Sequence, residues 1–126
     1  MMIENEISYQ IRGAIFEVYR QLGPGLLESI YHAALHHELK KRGLKVLSEV
    51  PIEVKYDGIV LPVYYRLDLL VEDKVIVEIK SVEELTKLHH KQVLTYLKIA
   101  DKRLGLLVNF NTDDIAKTIH RKVNNL

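Results

Sequence analysis

The segment Arg66-Leu67-Asp68-Leu69-Leu70-Val71-Glu72-Asp73-Lys74-Val75-Ile76-Val77-Glu78-Ile79-Lys80 sets acidic side chains and a lysine among strongly apolar ones. Burying such groups costs free energy unless they are paired, hydrogen-bonded or bound to a metal. In a strand successive side chains alternate faces, so Glu78 and Lys80 project together while Val77 and Ile79 project to the other side. Asp68 joins them if a hairpin pairs it with Glu78. That pairing needs an odd loop, for example residues 72–74 with Val71 opposite Val75, because a two-residue loop would put Asp68 and Glu78 on opposite faces.

Two carboxylates about 4 Å apart repel by roughly 4 kcal/mol at an effective dielectric near 20. Lys80 offsets part of this. A hard divalent cation offsets more, since magnesium takes oxygen ligands from one or two carboxylates and keeps waters for substrate and nucleophile. The chain has no cysteine, and oxygen-only ligation favours magnesium or manganese over zinc. Such a metal lowers the pKa of a bound water and neutralises charge on a phosphorane-like transition state, so phosphoryl chemistry is its natural use. The same three residues also suit a solvated hairpin of cross-strand ion pairs, each contributing only tenths of a kcal/mol. Taken alone, Asp68, Glu78 and Lys80 leave both readings open.

The elements that must position these residues show in the hydrophobic periodicity. Ile7, Ile11, Ala14, Ile15, Val18 and Leu22 recur at helical steps, and Gly23-Pro24-Gly25 ends that pattern. Leu27, Ile30, Tyr31, Ala34, Leu35 and Leu39 form the stripe of a second helix, expected over 26–41, with Gly43 as its stop. Residues 50–56 then alternate as a strand, and Asp57-Gly58 is a hairpin turn. Extended stretches are expected over 59–65 and 66–71, with Pro62 a point of interruption, then a strand over 75–80. Helical spacing returns over 85–100, residues 104–110 read as a strand buried on both faces, and Thr112 or Asp113 is placed to cap a last helix through Val123. The fold class expected is α/β of the α+β type. One domain over 1–126 holds a central mixed sheet, an antiparallel meander plus one further strand, flanked by helices.

A chain of 126 residues with 48% apolar content is long enough to bury a core without disulfide or metal staples. Its N-terminus carries glutamates where a secretory leader would be basic, and no apolar run spans a membrane, so a cytoplasmic protein without membrane partners is expected. The formal charge is +1, so no global field draws it onto nucleic acid, and any such affinity must come from a local patch. Lys40, Lys41, Arg42 and Lys45 form the one basic cluster, at a helix end. His36-His37 and His89-His90 are neighbours that diverge by about 100° on a helix and cannot chelate together. His36, His37 and His90 read as surface residues.

Asp68 followed by Glu78-Ile79-Lys80, between helices, resembles the core of the PD-(D/E)xK nuclease superfamily, whose pattern is helix, three antiparallel strands, helix, strand. Gly25-Leu26-Leu27-Glu28-Ser29-Ile30-Tyr31 is similar to the motif of the GxxExxY family within it, and RLDLLVE, VIVEIK, QVLTYL and RLGLLVNFN are similar to that family's successive blocks. The superfamily's proline is absent from its usual place, Arg66 standing two residues before Asp68. The resemblance implies a restriction-endonuclease-like fold and a metal-dependent nuclease acting on DNA or RNA. It implies that Asp68 and Glu78 hold magnesium or manganese with the backbone carbonyl of Ile79, that Lys80 assists attack, and that Glu28 completes the site from its helix. Tyr31 falls three residues after Glu28, as packing or support. Gln92 and Tyr96 match a Q-x-x-x-Y element and are assigned to orienting Lys80 or touching a substrate phosphate, with His89 a further substrate contact. Beside two carboxylates Lys80 is expected to act electrostatically rather than as a base. A small domain would need help to encircle a duplex, so a homodimer is expected. The alternative function is a catalytically inactive nuclease-fold module that binds nucleic acid or a protein partner.

Overall fold

In the computed structural model, which describes residues 2–126, the first helix, α1 (Glu4–Leu22), buries Ile7, Ile11, Ala14, Ile15 and Val18 along one stripe. Gly23 ends it with φ 67, a conformation that glycine adopts without a Cβ penalty. The second helix, α2 (Glu28–Lys41), buries Tyr31, Leu35 and Leu39. It closes at Gly43, where the N–H groups of Gly43 and Leu44 return to the carbonyls of Lys40 (2.9 Å) and Leu39 (3.2 Å), satisfying carbonyls that the helix end would otherwise strand. The chain then forms β1 (Val46–Tyr56) and β2 (Ile59–Val71), joined through Asp57 and Gly58 at φ 54 and 75. Positive φ at both positions is the mirror-image turn whose twist matches paired strands. β2 runs unbroken past the exposed Pro62, and β1 begins four residues earlier than its clearest alternation.

The 72–74 loop joins β2 to β3 (Val75–Lys80) with Val71 opposite Val75, the odd loop that the pairing of Asp68 with Glu78 requires. The third helix, α3 (Lys87–Ala100), leads to β4 (Leu104–Asn109), which lies parallel to β3. That crossover explains why every residue of β4 is buried. The last element is not the expected helix. Residues 115–118 form one 3₁₀ turn, and β5 (Ile119–Val123) pairs antiparallel with β4. Without β5 the buried β4 would expose a row of unpaired backbone groups, a larger loss than any gain from a short terminal helix. The sheet order is β1-β2-β3-β4-β5, an antiparallel meander with two further strands.

Helices α1 and α2 cover one face of the sheet, over a core that includes Leu69, Val71, Val77, Ile79, Leu106 and Phe110. On the other face, Leu97 of α3 packs with Ile52, Leu67, Leu70 and Ile76. Burial on both sides fits the near-continuous apolar character of β3 and β4. Among the described residues, no helix is long and apolar enough to cross a membrane.

Candidate active site

The hydrophobic faces change over at one place in the hairpin. Val46 and Val71 join the core beneath α1 and α2, whereas Val50, Ile52 and Leu67 pack toward α3. The changeover falls where Glu49, at φ 53, lies across from Asp68. The register itself is unchanged there, with Ser48 facing Leu69 and Val50 facing Leu67. A non-glycine residue held at positive φ is a sparsely populated conformation of the kind that clusters at active sites.

β2 and β3 pair as far as Leu69 and Val77, and beyond that point side chains replace the ladder. The Asp68 N–H donates to Glu78 Oε1 at 3.1 Å, and the Ile79 N–H donates to Asp68 Oδ2 at 2.8 Å. Each carboxylate is thus held by a backbone donor of the opposite strand. Among the described residues no N–H donor meets the second oxygen of either group, neither oxygen is sealed from solvent, and the two carboxyls lie close enough for a protonated Glu78 to share its proton with Asp68. Glu78 is 5% exposed, and burial, reinforced by the neighbouring charge of Asp68, pushes its carboxyl up from 4.5 to about 9. Lys80 pulls in the opposite direction from further along β3. The carbonyl of Lys80 accepts the Phe110 N–H at 2.9 Å, which fixes the end of β3 against β4.

Glu28 approaches from the first turn of α2 and shares with Asp68 a cleft of about 430 Å³, which His32, His36, Ser48 and Glu49 also line. Its position is set by a clamp behind it. The Tyr31 hydroxyl donates to the Gly23 carbonyl at 2.5 Å and accepts the Leu26 N–H at 3.1 Å, while its ring stacks on Phe110 at 4.4 Å. Ser81, next after Lys80, donates to the Leu26 carbonyl at 2.7 Å and ties that loop to the end of β3. Tyr31 is fully buried and is not among the residues that line the cleft, so it positions the loop behind Glu28. A larger cleft of about 540 Å³ lies between β1–β2 and the end of α3, but its Asp73 is paired with Lys102 at 3.4 Å. Cleft size does not locate the chemistry here.

A family model for the PD-(D/E)XK nuclease superfamily matches residues 5–122. The chain belongs to this superfamily. Its five-stranded mixed sheet flanked by helices is consistent with the restriction-endonuclease-like fold. No curated protein matched the chain. The crystal structure of SSO0001 superposes with a TM-score of 0.59 at 25% identity, over 95% of this chain and 64% of that one. The chain therefore spans less than two thirds of that protein's length. Members of this superfamily are in general metal-dependent nucleases that use divalent ions such as magnesium or manganese.

The residues present fit such a metal. Among the described residues no three Asp, Glu or His side chains converge on one point. The donor set is two carboxylates with one free oxygen each, which suits an ion that retains several waters. Glu28 lines the same cleft without joining that pair. From the other face, Tyr96 of α3 lies within the field of Glu78 and Asp68, and burial first, then those charges, push its phenol up. Gln92 is half-buried one turn before it. The His89 ring Nδ1 accepts the Thr86 N–H at 3.0 Å and completes the α3 capping box, so that nitrogen is committed to the fold.

Several participants escape the sequence reading. Glu49 and Ser48 look like ordinary strand residues, and His32, which bonds Ser48 Oγ at 2.6 Å, carries no signal in the sequence beyond its place on a helix. His36 and His90 are half-buried rather than exposed, His36 in the cleft and His90 edge-on to His120 at 4.8 Å. Asn109, 3% exposed, accepts from the Val82 and Asn111 N–H groups and donates to the Val82 carbonyl, locking the loop after Lys80. An asparagine ending a fully apolar strand was its available signal. In the basic cluster Arg42 is taken up by the buried Glu38 at 3.1 Å.

Proposed function

We propose that the chain is a divalent-metal-dependent nuclease that hydrolyses phosphodiester bonds of nucleic acid. Asp68 and Glu78 would hold magnesium or manganese through their free oxygens, with the Ile79 carbonyl as a further ligand. The observation that carries this reading is the reciprocal anchoring of the two carboxylates. One oxygen of each is fixed by a backbone N–H and the other is left for an outside partner. A solvated ion-pair hairpin would instead expose both acids and pair them with lysine. Glu78 is buried and Lys80 makes no ion pair with it among the described residues, so its ammonium is free for substrate.

A bound divalent metal would supply a water of lowered pKa and offset charge at phosphorus. The chain's own residues do the rest. The backbone N–H groups of Asp68 and Ile79 keep both carboxylates from turning as charge develops, so no reorganisation is needed during reaction. Lys80 sets its ammonium beside the attacking water and the equatorial phosphate oxygens, an electrostatic role. The water oxygen bonds to phosphorus as its proton passes to solvent, and the bond from phosphorus to the sugar oxygen breaks, that oxygen taking up a proton from solvent to leave as a hydroxyl. Glu28 faces the same cleft and is assigned to holding that water or a second face of the metal. Gln92 and Tyr96 are assigned to orienting Lys80 and a phosphate oxygen. The chain is further assigned to the GxxExxY branch, because Gly25 at φ 93 shapes the loop, Glu28 opens α2 at the cleft, and Tyr31 clamps the loop behind it.

The test is a cleavage screen of labelled single- and double-stranded DNA and RNA with magnesium, manganese, calcium or chelator. Hydrolysis is expected with magnesium or manganese and none with chelator. Absence of cleavage on all four substrates in both metals would favour the inactive binding module.

A further inference from the structure

Beyond Asp68 the β1–β2 hairpin carries large apolar side chains into solvent, with Tyr56 73%, Ile59 64%, Val63 67% and Tyr64 55% exposed. Large apolar side chains exposed together at the end of one hairpin mark a contact site. Its chemistry is more than apolar. The Tyr65 ring, 40% exposed, is backed on one side by Tyr96 with centroids 5.0 Å apart, and β2 carries Tyr65 three positions before Asp68. The Arg66 guanidinium lies over the Tyr64 ring at 5.9 Å and reaches its hydroxyl at 3.3 Å. Tyr64 and Arg66 project from one face of β2 and Tyr65 from the other, and Arg66 also pairs with the exposed Glu49 at 4.0 Å, so both faces of the strand just before Asp68 offer an aromatic ring and one adds a cation. Edge pairing with a second copy is poorly served, because the outer strand β1 carries Pro51, which lacks an N–H, and the charged Glu53 and Lys55.

We propose that this hairpin is a nucleobase-stacking arm and that the substrate is single-stranded nucleic acid. Tyr65 takes the base next to the phosphate held at Asp68 and Glu78, and Arg66 with Tyr64 takes a further base and its phosphate. Aromatic rings with arginine are the recurrent means of holding unpaired bases, whose π-faces a continuous duplex does not present. Rigid backing of Tyr65 by Tyr96 lowers the ordering cost of stacking. This inference deepens the nuclease reading and rests on it.

The chain has no tryptophan, so Tyr65→Trp keeps a stackable ring and adds a single indole reporter. It is titrated in calcium with a thymidine strand of about 12 nucleotides, within the span such platforms contact, and with an abasic strand of equal phosphate count. The indole is expected to quench with the thymidine strand and not with the abasic one. By anisotropy, Tyr65→Ala is expected to weaken thymidine-strand binding about tenfold and leave abasic-strand binding unchanged. Equal affinity for both strands, or cleavage by the wild type that Tyr65→Ala does not alter, overturns the arm while leaving the nuclease reading intact. Base-dependent quenching with no cleavage of any strand by the wild type supports the arm and removes the nuclease reading. A dimer in sedimentation that Tyr64→Ala and Tyr65→Ala disrupt assigns the surface to a second copy and also overturns the proposal.

Discussion

Glu78→Gln should lower metal-supported cleavage by at least about 10²-fold, and Lys80→Ala by about 10²- to 10³-fold, the range for removing one preorganised electrostatic group from a transition state. Each tenfold corresponds to about 1.4 kcal/mol of barrier. Glutamine keeps the volume of Glu78 and a carbonyl oxygen able to accept the Asp68 N–H, so the strand pairing at 3.1 Å survives while the charge is lost. The Lys80 side chain makes no ion pair among the described residues, and its removal should leave stability within about 0.5 kcal/mol. The two variants should therefore separate in kind. Loss at Glu78 should be partly restored by raising metal concentration, whereas loss at Lys80 should fall on kcat at all metal concentrations. Single-turnover cleavage across a metal titration checks this. Activity of Glu78→Gln equal to wild type would mark the cleavage as contamination.

The second large effect couples stability to pH and metal. Glu78 binds its proton more tightly in the folded chain, with the carboxyl at about 9 against an ordinary 4.5, because burial and then the charge of Asp68 disfavour ionisation. A raised folded value means the contribution to stability is fully present below 4.5 and is lost as pH rises from there toward about 9. Metal-free protein should therefore lose at most ~1.4 kcal/mol per pH unit from this group across that window. Glu78→Gln should flatten the profile. Magnesium binds the ionised site, so its stabilisation should grow with pH and release a proton on binding. At one hundred times its dissociation constant the gain is about 2.7 kcal/mol, roughly 10 °C of melting midpoint for a domain of this size. Asp68→Asn should remove most of that shift, and should raise metal-free stability only toward about pH 9 and above, where both carboxyls are ionised and repel. Calorimetric melts below and above neutral pH, with and without millimolar magnesium, check both halves. Identical melts for wild type and Asp68→Asn under all conditions would rule out a preformed metal site.

Where periodicity and turn chemistry decide an element, the sequence is enough. Asp57-Gly58, Gly43 and the odd loop after Val71 all behave as their residue types require. The resemblance around residues 25–31 points to Glu28, which lines a cleft with Asp68 and which the helix pattern alone would have left as a first-turn acid. What escapes is whatever depends on burial from both sides. Apolar residues recur at every second position at 44 and 46 and at 50, 52 and 54, broken only by Ser48, and again at 65, 67, 69 and 71, yet each strand changes its core partner midway. A two-sided core accepts either face, so the hydrophobic pattern cannot register the twist at Glu49. The closing strand failed for a related reason. Residues 119–123 are too few and too polar to declare a period, and only the unpaired edge of β4 makes them a strand. Tyr31 shows the same division, since its place on the apolar stripe was legible but its hydroxyl partners, two backbone groups of the preceding loop, were not.

The claim on which the account turns is that Asp68 and Glu78 together hold a divalent cation. Anomalous diffraction from crystals soaked in manganese tests it most directly, with wild type and Asp68→Asn measured side by side. The account predicts a manganese peak in contact with the Asp68 and Glu78 carboxylates in wild type, and no peak there in Asp68→Asn. A wild-type map with no peak between these two side chains at saturating manganese, or an equal peak in Asp68→Asn, would contradict it.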